Sequence, residues 1–254
     1  MSSAFLPVNR LGLLKKPYTP EKPKGAKAMT IVVGFPYQDG AILCADTQIT
    51  GPNGQKYTES KIFPLDVEGC RCVFAFADEV GLASEIRTKI FKKLGELLRA
   101  EADLEVSSEE FRRAIEEVVN EHGRMYAPLS LQFLVAIYPA NENPCLIHFD
   151  GSAVNTTRKL IVLGCGDEPL IRYLSKHLYK DNLPRTEAIA TAAYLVKQAT
   201  KYVNGCGEPI EATLIENGTI KKANDMARAA IPAIEYQEQF QIDNLIMKTF
   251  EWPS

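Results

Sequence analysis

Apolar and polar residues follow two different rhythms along this chain, and the rhythm changes in blocks. From Thr30, TIVVGF is a β-branched apolar run and AILCAD at 41–46 is a second, with QDG at 38–40 between them. That pattern predicts two strands of a hairpin, with Asp39-Gly40 supplying a turn that tolerates positive φ. GPNG at 51–54 predicts a loop, and KIFPLD and RCVFAFAD predict two further short strands around a turn in VEGC. The period then lengthens. Apolar residues at 82, 86, 90, 94, 97 and 98 form one helical face between Val80 and about Ala100. SSEEF restarts a helix: Ser107 caps it, Glu110 closes a capping box three residues on, and the helix is expected to reach about Met125.

Strand signals resume in SLQFLVAIY, CLIHFD and KLIVLG. Two helices are expected over 167–180 and 185–203, the second with Pro184 beside its start. EATLIEN and TIKKA then predict a hairpin over Asn217-Gly218, and the tail 225–250 is amphipathic and partly helical. Strands, two helices, strands, two helices, strands is the order of an α+β protein. Two sheets held between helical layers would cover every apolar face. No internal repeat stands out. Residues 1–29 read separately, because KKPYTPEKPKGAKA is rich in Pro and Lys and has little that could pack. The expected organisation is an arm over 1–29 and one domain over 30–254, with an extension from about 225.

Composition narrows the function classes. The chain has 254 residues, 46% hydrophobic, with a net charge of −3. That is enough for a sizeable core and favours neither nucleic acid nor an anionic membrane as partner. No apolar run reaches the roughly 20 residues of a membrane span. The first residues lack a secretory pattern, which makes a cytoplasmic protein the expectation. Six cysteines are scattered and read as thiols in a reducing compartment. The histidines, His122, His148 and His177, carry no ligand spacing, and neither metal nor cofactor is expected.

Three polar residues stand at strand ends where a bland fold has no need of them: Thr30 opens the first strand, Asp46 ends the second and Lys61 opens the third. In an antiparallel arrangement these ends can converge. A Lys cation beside a free α-amine lowers the amine's pKa from its usual 7.7–8.0, leaving it able to accept a proton. If Thr30 were N-terminal, one residue would then supply both nucleophile and base. Taken singly, the plain readings are a strand-opening Thr, a turn carboxylate and an edge lysine. The cysteines at 165 and 206, both in glycine turns, read as structural rather than as a nucleophile or a redox pair. GCGDEP lacks the ending of a phosphate loop.

The stretch TIVVGFPYQDGAILCADTQIT, ESKIF around Lys61, and VLGCG at 162–166 together resemble proteasome β-type subunits and bacterial proteasome-like proteins of the N-terminal-nucleophile hydrolase family. The spacing from Thr30 to Asp46 fits that family without a gap, and Lys61 fits after a one-residue deletion in the loop at 51–58. The resemblance implies a four-layer αββα fold over about 30–222. It implies Thr30 as nucleophile, Lys61 tuning its amine and Asp46 holding Lys61. It further implies a threonine-type peptidase without cofactor, acting on peptide or unfolded polypeptide inside a homo-oligomeric ring, with room for an unfolding partner.

The sequence departs from the family's pattern in places. Cys165 stands where the family has the Ser of its Gly-Ser-Gly turn. In KYVNGCGEP, Val203 or Asn204 stands for an Asp and Cys206 for a Ser. No Gly occurs at 74–78, so the backbone N–H of Ala75 or Ala77 is the candidate oxyanion donor. By position, Ile49, Glu59, Cys72 and Phe76 are candidates to line the substrate pocket. Met29 precedes Thr30 where family propeptides end in Gly. Three fates of the arm follow: a start at Met29, a cleaved arm, or a retained one. The alternatives are a non-catalytic ring or assembly subunit and an amide hydrolase acting on a small molecule.

Overall fold

The computed structural model describes residues 30–50, 54–67, 70–77, 80–100, 106–125, 131–139 and 141–236. The expected arm, the VEGC turn at 68–69, most of the GPNG loop and the tail beyond 236 lie outside the described residues. The first strands are β1 Ile31–Tyr37, β2 Gly40–Asp46, β3 Gln48–Thr50, β4 Lys56–Thr58, β5 Ile62–Val67 and β6 Cys70–Ala77. Two helices follow, α1 Val80–Ala100 and α2 Ser108–Met125. Then come β7 Gln132–Ile137, β8 Cys145–Phe149, β9 Val154–Thr157 and β10 Ile161–Gly164, and a 3-10 turn over Cys165–Asp167. α3 Pro169–Leu178, α4 Arg185–Tyr202, β11 Ile210–Glu216 and β12 Thr219–Lys222 complete the set, and a fifth helix, α5, starts at 224 and continues to 236.

Ten of these strands make two five-stranded sheets, ordered β10-β1-β2-β11-β12 and β5-β6-β7-β8-β9, while β3 and β4 form a small hairpin of their own. Neighbouring strands are antiparallel. The alternation of side chains sorts the core into three layers. Odd positions of β1, with Ile31, Val33 and Phe35, pack with Ile171, Ala192, Leu195, Val196 and Ile231 of the helices α3, α4 and α5. In β6, Cys72, Phe74 and Phe76 pack with Ile86, Ile90, Leu94, Phe111 and Ile115 of α1 and α2. Between the sheets lie Val32, Leu43, Ala45, Val73, Ala75, Ala77, Leu134 and Ala136. The order of layers is therefore helix, sheet, sheet, helix, the expected αββα architecture. Strands covered on both faces account for runs such as TIVVGF having no polar face.

The alanines between the sheets let them approach closely. A Cβ on Gly34 would lie 2.4 Å from Leu134 Cδ2 and 2.5 Å from Leu43 Cδ2. The capping box forms as expected: the Ser107 amide donates to Glu110 Oε2 at 2.8 Å, and the Glu110 amide donates to Ser107 Oγ at 3.3 Å. Asn217 and Gly218 take φ of 45° and 66° in the predicted hairpin.

Some expectations are corrected. Asp39 and Gly40 do not take positive φ. The two-residue loop is Gln38-Asp39, with Tyr37 paired to Gly40. Gly40 is required for another reason, since a Cβ there would sit 1.9 Å from the Ile215 carbonyl oxygen of the adjacent strand. Lys61 stands immediately before β5 rather than within it, and β3, β4 and β9, each of four residues or fewer, are absent from the sequence reading. Pro184 occupies the N-cap of α4, with extended ψ of 153°.

Candidate active site

The carbonyl oxygen of Thr30 accepts the Cys165 amide at 2.9 Å, at the point where β10 ends beside β1. This tie needs the glycine at 164. Its φ is 73°, and a Cβ there would lie 2.1 Å from the same Thr30 oxygen. The Gly164 amide in turn donates to Gln132 Oε1 of the second sheet at 2.9 Å. Thr30 is thus fixed at the junction of the two sheets.

Asp46 closes β2 and is fully buried. One carboxylate oxygen, Oδ1, accepts the Ile31 amide at 3.0 Å and the Lys61 ammonium at 2.7 Å. The other, Oδ2, accepts the Gly207 amide at 3.1 Å. Lys61 reaches this carboxylate from the residue just before β5 of the second sheet, with its side chain completely buried. Its ammonium carries three donors, and each has an acceptor: Asp46 Oδ1, the Gln48 carbonyl at 2.8 Å, and Thr30 Oγ1. Two opposite charges out of water are tolerated here because the pair is in contact and its remaining donors and acceptors are satisfied. Thr30 itself is 5% exposed. Lys61 is therefore in direct contact with both of the other residues singled out in the sequence, Thr30 and Asp46.

A fourth polar residue, absent from the sequence reading, fixes the backbone of Lys61. Glu211 on β11 accepts the Lys61 amide at 2.5 Å, the Ile62 amide at 3.0 Å and the Ser60 hydroxyl at 2.7 Å. Burial pushes its carboxyl above the usual range, against the opposing pull of those donors. Alternation along IEATLIE would send Glu211 to solvent. It faces the other sheet instead, because β11 pairs with β2 (Glu211 opposite Ala45) and both faces of that sheet are covered. Gln48 also contributes beyond its carbonyl, donating through Nε2 to the Gly205 carbonyl at 3.0 Å.

The remaining candidates are placed as follows. Cys165 and Cys206 are buried with their sulfurs 3.5 Å apart, whereas Asn204 is exposed on the turn before Cys206. Ala75 lies within both ladders of β6, opposite Ile62 and Leu134. Ala77 lies beyond the last β5 pair and faces only Gln132 of β7. Phe76 stacks on Phe63 at 6.0 Å in the layer shared with α1, and Cys72 is buried in the same layer. Ile49 is buried in β3 and Glu59 is exposed, its amide donating to the Thr47 carbonyl at 2.9 Å. Among the described residues no group of His, Cys, Asp or Glu is placed to hold a metal ion, and no helix is long and apolar enough to cross a membrane.

The fold has counterparts among known proteins. The family model described as proteasome subunit matches residues 27–215, a span that contains Thr30, Asp46, Lys61, Cys165, Cys206 and Glu211. No curated protein matches the chain by sequence. Among solved structures, a (Gly-1) mutant of Anbu from Hyphomicrobium sp. strain MC1 superposes with a TM-score of 0.70 at 13% identity, covering 85% of this chain and 99% of that one. Another structure of Anbu from the same strain gives a TM-score of 0.66 at 15% identity, covering 89% and 99%. These likenesses concern the fold. Together with the family match over most of the chain, and with the four-layer architecture that converges Thr30, Asp46 and Lys61, they make this protein a member of the proteasome subunit family.

Proposed function

We propose that this chain is a threonine-type peptidase whose nucleophile is the Thr30 hydroxyl, with Lys61 and Asp46 as its electrostatic support. One observation carries the reading: the buried Lys61 ammonium donates to Thr30 Oγ1 while ion-paired to Asp46. A fold that needed only packing has no use for a desolvated charge pair at a strand end.

The chemistry requires Thr30 to end the mature chain. Its α-amine is then the base, and the neighbouring ammonium holds the amine below its ordinary pKa, so a neutral form is available near pH 7. Thr30 Oγ attacks the scissile carbonyl and the amine takes the hydroxyl proton. The tetrahedral intermediate collapses as the amine returns that proton to the leaving nitrogen, giving an ester on Thr30. Water activated by the same amine then hydrolyses the ester. For the oxyanion, Ala77 is the better supported donor, because Ala75 is committed to ladders on both sides. Substrates in this reading are peptides or unfolded polypeptide, and the working form is a homo-oligomeric ring.

Intact-mass analysis of protein from its native cell, combined with peptide hydrolysis assays on the wild type and Thr30→Ala, tests the reading. The expected result is a mass beginning at Thr30 and loss of hydrolysis in the variant. Hydrolysis that persists in Thr30→Ala would overturn the mechanism. A retained arm without hydrolysis would identify a non-catalytic ring subunit, and activity confined to small amides would move the substrate class.

A further inference from the structure

We infer that Cys165 and Cys206 are a reversible disulfide-forming pair, an oxidation site built against the Thr30 centre. Their sulfurs are 3.5 Å apart, and a disulfide bond of about 2.0 Å requires them to close by only about 1.5 Å. Both residues stand in turns rather than ladders. Cys165 opens the 3-10 turn after Gly164, and Cys206 follows Gly205, whose φ is 94°. Cys44, Cys72 and Cys145 are, by contrast, held in buried strands.

The pair also touches the site at both ends. The Cys165 amide donates to the Thr30 carbonyl, and the residue after Cys206, Gly207, donates to Asp46 Oδ2. A bond drawn between the sulfurs therefore pulls on the two turns that hold the nucleophile's backbone and the carboxylate under Lys61.

The oxidant is a peroxide. The Cys165 sulfur attacks one peroxide oxygen as its thiol gives up its proton; an S–O bond forms, the O–O bond breaks, and the departing hydroxide takes up that proton and leaves as water. The neighbouring sulfur and burial push the Cys206 thiol up, which keeps its proton in the reduced pair. The Cys206 sulfur then attacks the sulfenic sulfur, the S–S bond forms, the S–O bond breaks and the oxygen departs as water with the Cys206 proton. In sum, two thiols and one hydrogen peroxide give one disulfide and two waters, the two electrons coming from the sulfurs. A dithiol reductant reverses the change.

The test uses the full chain treated with hydrogen peroxide, then denatured for intact-mass analysis and non-reducing peptide mapping. The expected result is a loss of about 2 Da, restored by dithiothreitol, with the peptides bearing Cys165 and Cys206 joined. In Cys206→Ser that loss disappears, and a dimedone adduct accumulates on Cys165. The inference fails if the peroxide-treated wild type keeps both thiols open to alkylation, or if Cys206→Ser still loses the same mass. The mass readout is independent of hydrolysis. On the same samples a reversible fall in turnover of roughly 100-fold is expected, the scale carried by a 1 Å misplacement. Joined peptides in a protein inactive in both redox states would count against the peptidase reading alone.

Discussion

Lys61 Nζ and Asp46 Oδ1 stand 2.7 Å apart with both side chains withdrawn from solvent; Asp46 ends β2 of one sheet and Lys61 immediately precedes β5 of the other. The pair therefore ties the sandwich together at the end where Thr30 lies. Removing one partner leaves an uncompensated buried charge, at a cost of about 3–5 kcal/mol. Asp46 additionally accepts the Ile31 and Gly207 amides, so Asp46→Ala is expected to destabilise more than Lys61→Ala, by about 1–3 kcal/mol. Urea unfolding of the two variants measures the difference, and equal losses would refute the double role given to Asp46.

Glu211 provides a pH signature. Its folded pKa is raised by burial, so folding favours the protonated form relative to the unfolded chain. The associated stability is fully present below the unfolded carboxyl pKa of about 4.3 and is lost as pH rises through the folded value. Glu211→Gln keeps an oxygen for the Lys61 and Ile62 amides and removes the titration. It is expected to flatten the stability curve over that window and to be at least as stable as wild type at pH 7. Glu211→Ala leaves those two amides without their acceptor and loses about 2–5 kcal/mol. Denaturation at a series of pH values separates these outcomes.

Two glycines with similar φ test the Thr30 anchorage. Gly164 and Gly218 take 73° and 66°. An alanine at 218 meets nothing nearer than Arg71 Nη1 at 3.4 Å and costs about 1–2 kcal/mol for the left-handed backbone alone. An alanine at 164 meets the Thr30 carbonyl at 2.1 Å, so the backbone must move and the cost rises to about 4 kcal/mol or more. Thermal unfolding should rank the two variants accordingly, and the same rank should appear in any loss of hydrolysis.

The α1/α2 layer offers a control remote from the chemistry. Ser107→Ala removes one half of the capping box and should cost about 1 kcal/mol, whereas Glu110→Gln retains an acceptor for the Ser107 amide and should cost less. Hydrolysis per folded molecule should be unchanged in both. A fall in turnover matching the loss of stability would indicate that this layer bears on the site.

Local chemistry made several elements legible without coordinates. The box at Ser107 and Glu110, the Asn217-Gly218 turn, the apolar stripe of α1 and the β-branched run after Thr30 each act within a few residues, where spacing alone fixes the partners. Thr30, Asp46 and Lys61 drew attention as polar residues near strand ends, and what lifted them above their plain readings was their joint spacing, which resembles that of the proteasome family.

Partnerships between distant segments were decided only by the tertiary structure. Glu211 lies 150 residues from the Lys61 amide it accepts, and Gly207 lies 161 from Asp46. Gly40 looked like a turn glycine, yet it is needed where two strands crowd at Ile215. The same limit hid the short strands β3, β4 and β9, whose few residues carry too little periodicity to register. A sequence records which residues are able to donate, accept, pack or bend. Which donor meets which acceptor depends on how the sheets stack and register, and that is set by the packing of all their faces at once.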